Sequence, residues 1–381
     1  MNHVPKNYYH ALATMIGYIV GVGMFGLPFV VAKAGFLSFL VLLVFLGFVQ
    51  YFIHLIYANV IIATKSYHRL PGYAEIYLGK PGKYIVFAFK LFGNLGGLLA
   101  YIIITGLFVH QLLGPYLGGT PFLYSTALFA IEATILYFGI GAIARAELIM
   151  TFLLVLVVGL ITWRGLEVIN ITNYSIASWQ YFILPYGAML LALDGGGALP
   201  IVAKLLKKDK QAVKSVVRWA TFISALLVLV FVSVIVGISG VNTSADSLSG
   251  VKAVLDDGVV FFSLIFGVLT MVTSFFGVAE SVKETLWWDF KFNKTLAWAI
   301  AVFFPYSLFL FGIGDLSEVV SIVGAIGSGF CGIILMFIFM RLKKRKLALP
   351  MFEGRRPGDL IVLFFILIFL SGIIYQVAQL F

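Results

Sequence analysis

Apolar stretches of membrane-crossing length follow one another along almost the whole of this chain, at 8–35, 36–64, 84–113, 122–140, 148–166 and 179–205, then 216–238, 259–286, 296–311, 319–340 and 360–380. A helix needs about 20 residues to cross the hydrocarbon core of a bilayer. Hydrocarbon admits only structures that satisfy their own backbone polar groups. With 62% hydrophobic and 11% charged residues, 381 residues cannot hide this surface in one water-soluble core. The reading is an all-α polytopic membrane protein solvated by lipid. Eleven spans are preferred, although the ninth is short and the first two are joined almost directly, so ten or twelve stay open.

The net charge of +10 reads as sidedness rather than as affinity for nucleic acid. Under the eleven-span reading, 22 of the 26 Lys and Arg residues fall on one side, Lys33, Arg164 and Lys252 on the other, and Lys90 within a span. The amino terminus is therefore expected in the cytoplasm and the carboxyl terminus outside. No removable leader is expected, since the first apolar segment runs straight into the second. Cys331, alone of its kind, excludes an intramolecular disulfide and a cysteine metal cluster, and reads as a small buried residue.

The first span carries "GYIVGVGMFGLPFV", in which Gly17, Gly21, Gly23, Gly26 and Pro28 crowd the two residue types that weaken helices most. The sixth span carries "LDGGGALPIVAKLL", and its Leu-Pro-apolar-Val pattern follows Gly195, Gly196 and Gly197 as "GLPFVVAKA" follows the first cluster. Glycine- or proline-interrupted segments at matching places in two halves point to a transporter built from repeats. With five helices per repeat the second copy inserts upside down. The expected division is a first repeat at 1–167, a second at 168–345, and a linker with an eleventh helix at 346–381. A break is tolerable where it lines a cavity, with amide groups facing an anion and freed carbonyls facing a cation. The competing reading is that these glycines only permit close helix packing.

The runs "GVGMFGLPFVVAKAGF", "PYGAMLLALDGGGALPIVAKLLKK" and "VTSFFGVAESVKETLWWDF" resemble, in order and spacing, the aromatic and hydroxy amino acid permeases of bacteria. That group is a branch of the amino acid, polyamine and organocation superfamily, with the LeuT-like fold. The resemblance implies that Ile19, Val20, Gly21, Val22 and Gly23 face the substrate, with Leu193, Asp194, Gly195 and Gly196, to Gly197, forming the opposite wall. It also places Tyr101 beside the substrate, where packing between helices is the competing role. Gly17 and Val20 carbonyls with the Thr273 and Ser274 hydroxyls match a cation-coupling site, joined by Asp194, although both hydroxyls also suit bonding to their own helix. The fifth helix lacks the lysine that some proton-driven relatives place there.

Asp194 departs from the family pattern, which usually has a small residue there and a bulky aromatic before the proline. A carboxylate at membrane depth is a functional candidate. It suits a substrate ammonium, a coupling ion or proton, or capping of the freed amides of the following half-helix. His54, Asn59, Lys90, Asn94, His110, Glu132 and Glu280 read as paired or snorkelling groups, with Lys90 a candidate partner for Glu132 and Lys283 for Glu280. Residues 66–83 read as a short interfacial helix, 241–258 as a partly helical external lid, and "RLKKRK" as a topology signal.

No nucleotide loop, HExxH motif or nucleophile with a nearby base is found, so the chain does not read as an enzyme. The expected function is a cation-coupled symporter, proton rather than sodium, importing a neutral aromatic or hydrophobic L-amino acid across a bacterial or archaeal inner membrane. No cofactor beyond the coupling ion and no obligate protein partner is expected. An amino-acid sensor that binds without transporting is the alternative, and a metal-ion transporter is weakened by the lack of its Asp-Pro-Gly-Asn and Met-Pro-His signatures.

Overall fold

The computed structural model describes residues 7–138, 143–175, 177–255, 258–313, 315–348 and 358–379, without the side chains of 143–148, 150, 288 and 289. Among them the regular structure is entirely helical. The helices are α1 (Tyr8–Ile19), α2 (Val22–Ala34), α3 (Phe36–Ala63), α4 (Leu70–Leu117), α5 (Pro121–Phe138), α6 (Ile143–Gly165), α7 (Tyr186–Ala192), α8 (Leu199–Leu205) and α9 (Lys210–Ser239). They continue with α10 (Leu248–Lys252), α11 (Gly258–Glu284), α12 (Lys294–Leu310), α13 (Leu316–Ile322), α14 (Gly329–Lys344) and α15 (Asp359–Ala378).

Among the described residues, seven helices are long and apolar enough to cross a membrane, and the bent pair α1–α2 makes an eighth. Large apolar side chains such as Phe48, Phe138 and Ile374 lie exposed along them, at 62%, 81% and 67%. So much uncovered apolar surface requires lipid as its solvent. The apolar stretches at 148–166 and 296–311 correspond to the shorter apolar helices Thr151–Gly165 and Lys294–Leu310. That at 179–205 is divided between α7 and α8, each of 7 residues.

The helix α4 extends well before the expected third span. Gly79, at φ 82°, kinks it, and the turns before the kink account for the helical reading of 66–83. At the tenth segment a π-turn at Val323–Ser328 joins α13 to α14 without ending the span. The centre of the bundle is organised by α1 and α2 with α7 and α8: α1 packs on α8, and α2 on α7. Around them lie α4, packed on α11, α5 and α14, and α9, packed on α1, α2 and α3. Two broken helices therefore sit inside a wall of continuous ones, where protein can cover their loose ends.

Candidate functional site: a cavity between two helix breaks

The first break is a two-residue interruption in the glycine cluster. Val20 (φ −86°, ψ 87°) and Gly21 (φ −128°, ψ −149°) leave the helical region, and α2 departs at 45° to α1. The Val20 amide donates to the Ile16 carbonyl at 2.9 Å, the Gly21 amide to Ile19 at 3.1 Å and the Met24 amide to Gly21 at 3.1 Å. The amides of Val22 and Gly23 and the carbonyls of Gly17, Tyr18 and Val20 take no backbone partner among the described residues. Gly23 also serves packing: a Cβ there would lie 2.6 Å from the Ala192 nitrogen and 2.7 Å from its Cα. Close helix packing therefore accounts for Gly23, while the chain leaves the helical conformation at Val20 and Gly21.

At the second break, α7 stops at Ala192 and α8 begins at Leu199, with Pro200 in its first turn. Asp194 ties the intervening loop together. Its Oδ1 accepts from the Gly196 amide at 2.8 Å and its Oδ2 from the Ser328 hydroxyl, on the π-turn, at 3.0 Å. The Gly195 amide donates to His54 Nε2 at 2.9 Å. Because Nε2 accepts, the imidazole proton sits on Nδ1 and is donated to Thr221 Oγ1, 3.1 Å away on α9. One turn earlier on α3, Gln50 donates to the Leu190 carbonyl at 3.0 Å. Sequence reasoning took His54 only as a paired residue; its work is to hold the glycine loop in place.

The two breaks meet at a cavity of about 220 Å³. Gly17, Ile19, Val20, Gly21, Val22, Gly23, Tyr101, Asp194, Thr273 and Ser274 all line it. Leu193 does not, being fully buried behind the wall, and Gly195 is absent from the lining. Gly196 faces a second, smaller cavity of about 80 Å³ that shares Tyr18, Lys90, Asp194 and Cys331 with the first. Tyr101 reaches across to the first break, its hydroxyl 3.2 Å from where a Gly21 Cβ would be, and it also meets Ser274. Thr273 donates to its own helix, to the Thr270 carbonyl at 2.9 Å, which leaves its oxygen lone pairs toward the cavity.

The sequence did not single out Tyr18, Arg69, Ser328 or Cys331 as lining residues. The glycine run around 324–332 was the available signal for Ser328, because it produces the π-turn, and π-turns recur at functional sites. Lys90 turns toward the cavity rather than toward Glu132. Glu132 Oε1 is buried without a hydrogen-bond donor among the described residues. The Glu280–Lys283 pair forms as its spacing suggests, at 2.6 Å.

Beyond the first break, on α2, lies an aromatic cluster. Phe25 packs edge-on against Phe108 and Phe231, with ring centres 5.6 and 5.3 Å apart. Over them folds the segment containing α10, whose Leu248 and Val251 are buried and whose Ser247 hydroxyl donates to the Phe25 carbonyl at 2.5 Å. Gln111 on α4 fastens this cap, donating to Asp246 at 2.9 Å and accepting from Lys252 at 3.0 Å. The cavities run past Lys90 to Arg69, Ser281 and Thr285. The segment expected as a lid is partly helical, at Gly240–Asn242 and Leu248–Lys252, and its residues 256 and 257 lie outside the described residues.

A bundle of apolar spanning helices around a partly polar cavity of this size is a multi-pass membrane protein built to hold a small solute. The sequence profile of the tryptophan/tyrosine permease family matches residues 6–378, and the chain belongs to that family. It is an amino acid transporter and not an enzyme. No curated protein matches the chain significantly.

Proposed function

We propose that the protein imports a neutral aromatic or hydrophobic L-amino acid with a proton, by alternating access, across the cell membrane. The observation that carries this reading is the meeting of two helix breaks at one cavity, with the Val22 and Gly23 amides on one side and Asp194 on the other. Unpaired amides at a helix start attract a carboxylate. At roughly 10–15 Å³ per water-sized group, the cavity suits on the order of fifteen non-hydrogen atoms, the size class of an aromatic amino acid.

The proposed proton coupling runs through Asp194, the one carboxylate among the residues lining the cavity. The alternative cation site would use the free carbonyls of Gly17 and Val20 with Thr273 and Ser274. Eleven spans in a five-plus-five inverted repeat of LeuT-like type, with the amino terminus inside, complete the proposal. The crossed packing of α1 on α8 and α2 on α7 supports it, since an inverted repeat brings the two broken helices together in this way.

The test is uptake of a labelled L-amino acid mixture into proteoliposomes under an inward proton gradient, an inward sodium gradient or neither. Accumulation of an aromatic amino acid under the proton gradient alone is expected. Accumulation under sodium alone would move coupling to the Gly17–Ser274 group, and binding with no uptake under any gradient would replace the symporter with a sensor.

A further inference from the structure

A further cavity, about 430 Å³, lies not between the helix breaks but on the outside of the seam between α4 and α14. Its walls are apolar, formed by residues such as Leu78 and Ile85 on α4 and Ile333 and Phe337 on α14. Ile85 and Phe337 are exposed at 50% and 43%, so the groove is open sideways. The stacked rings of Phe89 and Phe330, 3.8 Å between centres, form part of its lining. At one end, where the apolar part of α14 gives out, stand Arg341 and Lys344.

These two cations differ from the basic residues beside them. Lys343 is paired with Asp359 at 2.7 Å, and Arg345 donates to the Ile76 carbonyl at 3.2 Å while covering the Tyr77 ring. Arg341 and Lys344 are exposed and make no hydrogen bond or ion pair among the described residues, although Lys344 lies within electrostatic reach of Asp359. A topology signal requires only that the charges be present. It does not require two of them to stand without a partner among the described residues at the mouth of an apolar groove.

We propose that this groove is a binding site for an anionic phospholipid, with an acyl chain along the α4–α14 wall and the phosphate held by Arg341 and Lys344. Apolar length ending in two cations is complementary to that molecule and not to a zwitterionic lipid, whose own ammonium would meet Arg341 and Lys344. A second copy of this chain would have to bring a carboxylate to the same place. The site touches the transport path through Phe89, which lines both the groove and the central cavity. Its occupancy would hold Phe89 and Phe330 stacked, and with them one wall of the cavity.

The experiment is native mass spectrometry of the purified full chain titrated with phosphatidylglycerol or phosphatidylcholine, a readout that does not depend on transport. Tighter retention of phosphatidylglycerol is expected, with a loss of about fivefold per cation in the Arg341→Gln, Lys344→Gln double variant. A control double variant, Lys207→Gln with Lys210→Gln, removes the same charge from exposed residues at the α8–α9 turn, outside the groove's lining, and is expected to bind as wild type does. Equal retention of the two lipids by the wild type, an unchanged affinity in the first variant, or an equal loss in the control would overturn the proposal. So would a lipid-free dimer that the first variant breaks. Should that variant fail to fold, the salt dependence of wild-type binding decides: phosphatidylglycerol retention must fall as ionic strength rises while phosphatidylcholine retention does not.

Discussion

At the scale of single residues, Asp194 braces the second break, accepting from the Gly196 amide within the loop and from the Ser328 hydroxyl on the π-turn, and it also lines the cavity, where a coupling role is proposed for it. The roles separate by substitution. Asp194→Asn keeps an oxygen to accept from the Gly196 amide while removing the charge, so the expected outcome is a wild-type unfolding midpoint with proton-driven accumulation lost. Asp194→Ala removes both acceptors, and an unsatisfied buried group costs about 1–3 kcal/mol, so this variant should unfold at lower temperature as well. Wild-type, pH-dependent accumulation by Asp194→Asn would show that the residue is only a cap. His54 carries no such ambiguity. His54→Phe fills the same space but strands the Gly195 amide, and should cost about 1–3 kcal/mol, measured by thermal unfolding in detergent.

At the scale of elements, the breaks depend on what their glycines touch. Gly23→Ala would drive a methyl into the Ala192 backbone, which cannot swing aside as a side chain can. Overpacking of this kind costs about 1–3 kcal/mol, more than the roughly 1 kcal/mol by which alanine is favoured over glycine inside a helix. Gly97, on the cavity wall of α4, has nothing within 4 Å of its would-be Cβ. Gly97→Ala should therefore keep or raise the unfolding midpoint while raising the KM for uptake, and Gly23→Ala should lower the midpoint; equal midpoints would mean that α2 and α7 can part without cost. The location of the two breaks was legible in the sequence because glycine clusters and proline mark them directly. The braces were not, because His54 and Ser328 reach the second break from α3 and from the π-turn, more than 130 residues away in the chain. Neighbours in space that are distant in sequence leave no local pattern to read.

At the scale of the whole molecule, the proposed alternating access requires the cavity to open in turn to two sides, of which the structure describes one state. The Phe25, Phe108 and Phe231 rings and the α10 segment form the proposed seal at one end, while Arg69, Ser281 and Thr285 line the cavities toward the other. With the proposed topology the sealed end is external, and the cavity faces the cytoplasm. Cys331 makes this measurable without any engineered label. It is the only cysteine of the chain and it lines both cavities, so the reading of it as a plain buried residue gives way to that of a built-in reporter. A membrane-impermeant thiol reagent should modify it from the cytoplasmic face of oriented vesicles and not from the outside, and a bound amino acid should slow the reaction by filling the cavity. Modification from the outside alone would reverse either the proposed sidedness or the assignment of the sealed end. Tagging the amino terminus for protease access distinguishes the two, because sidedness fixes where that terminus lies whatever state the cavity adopts.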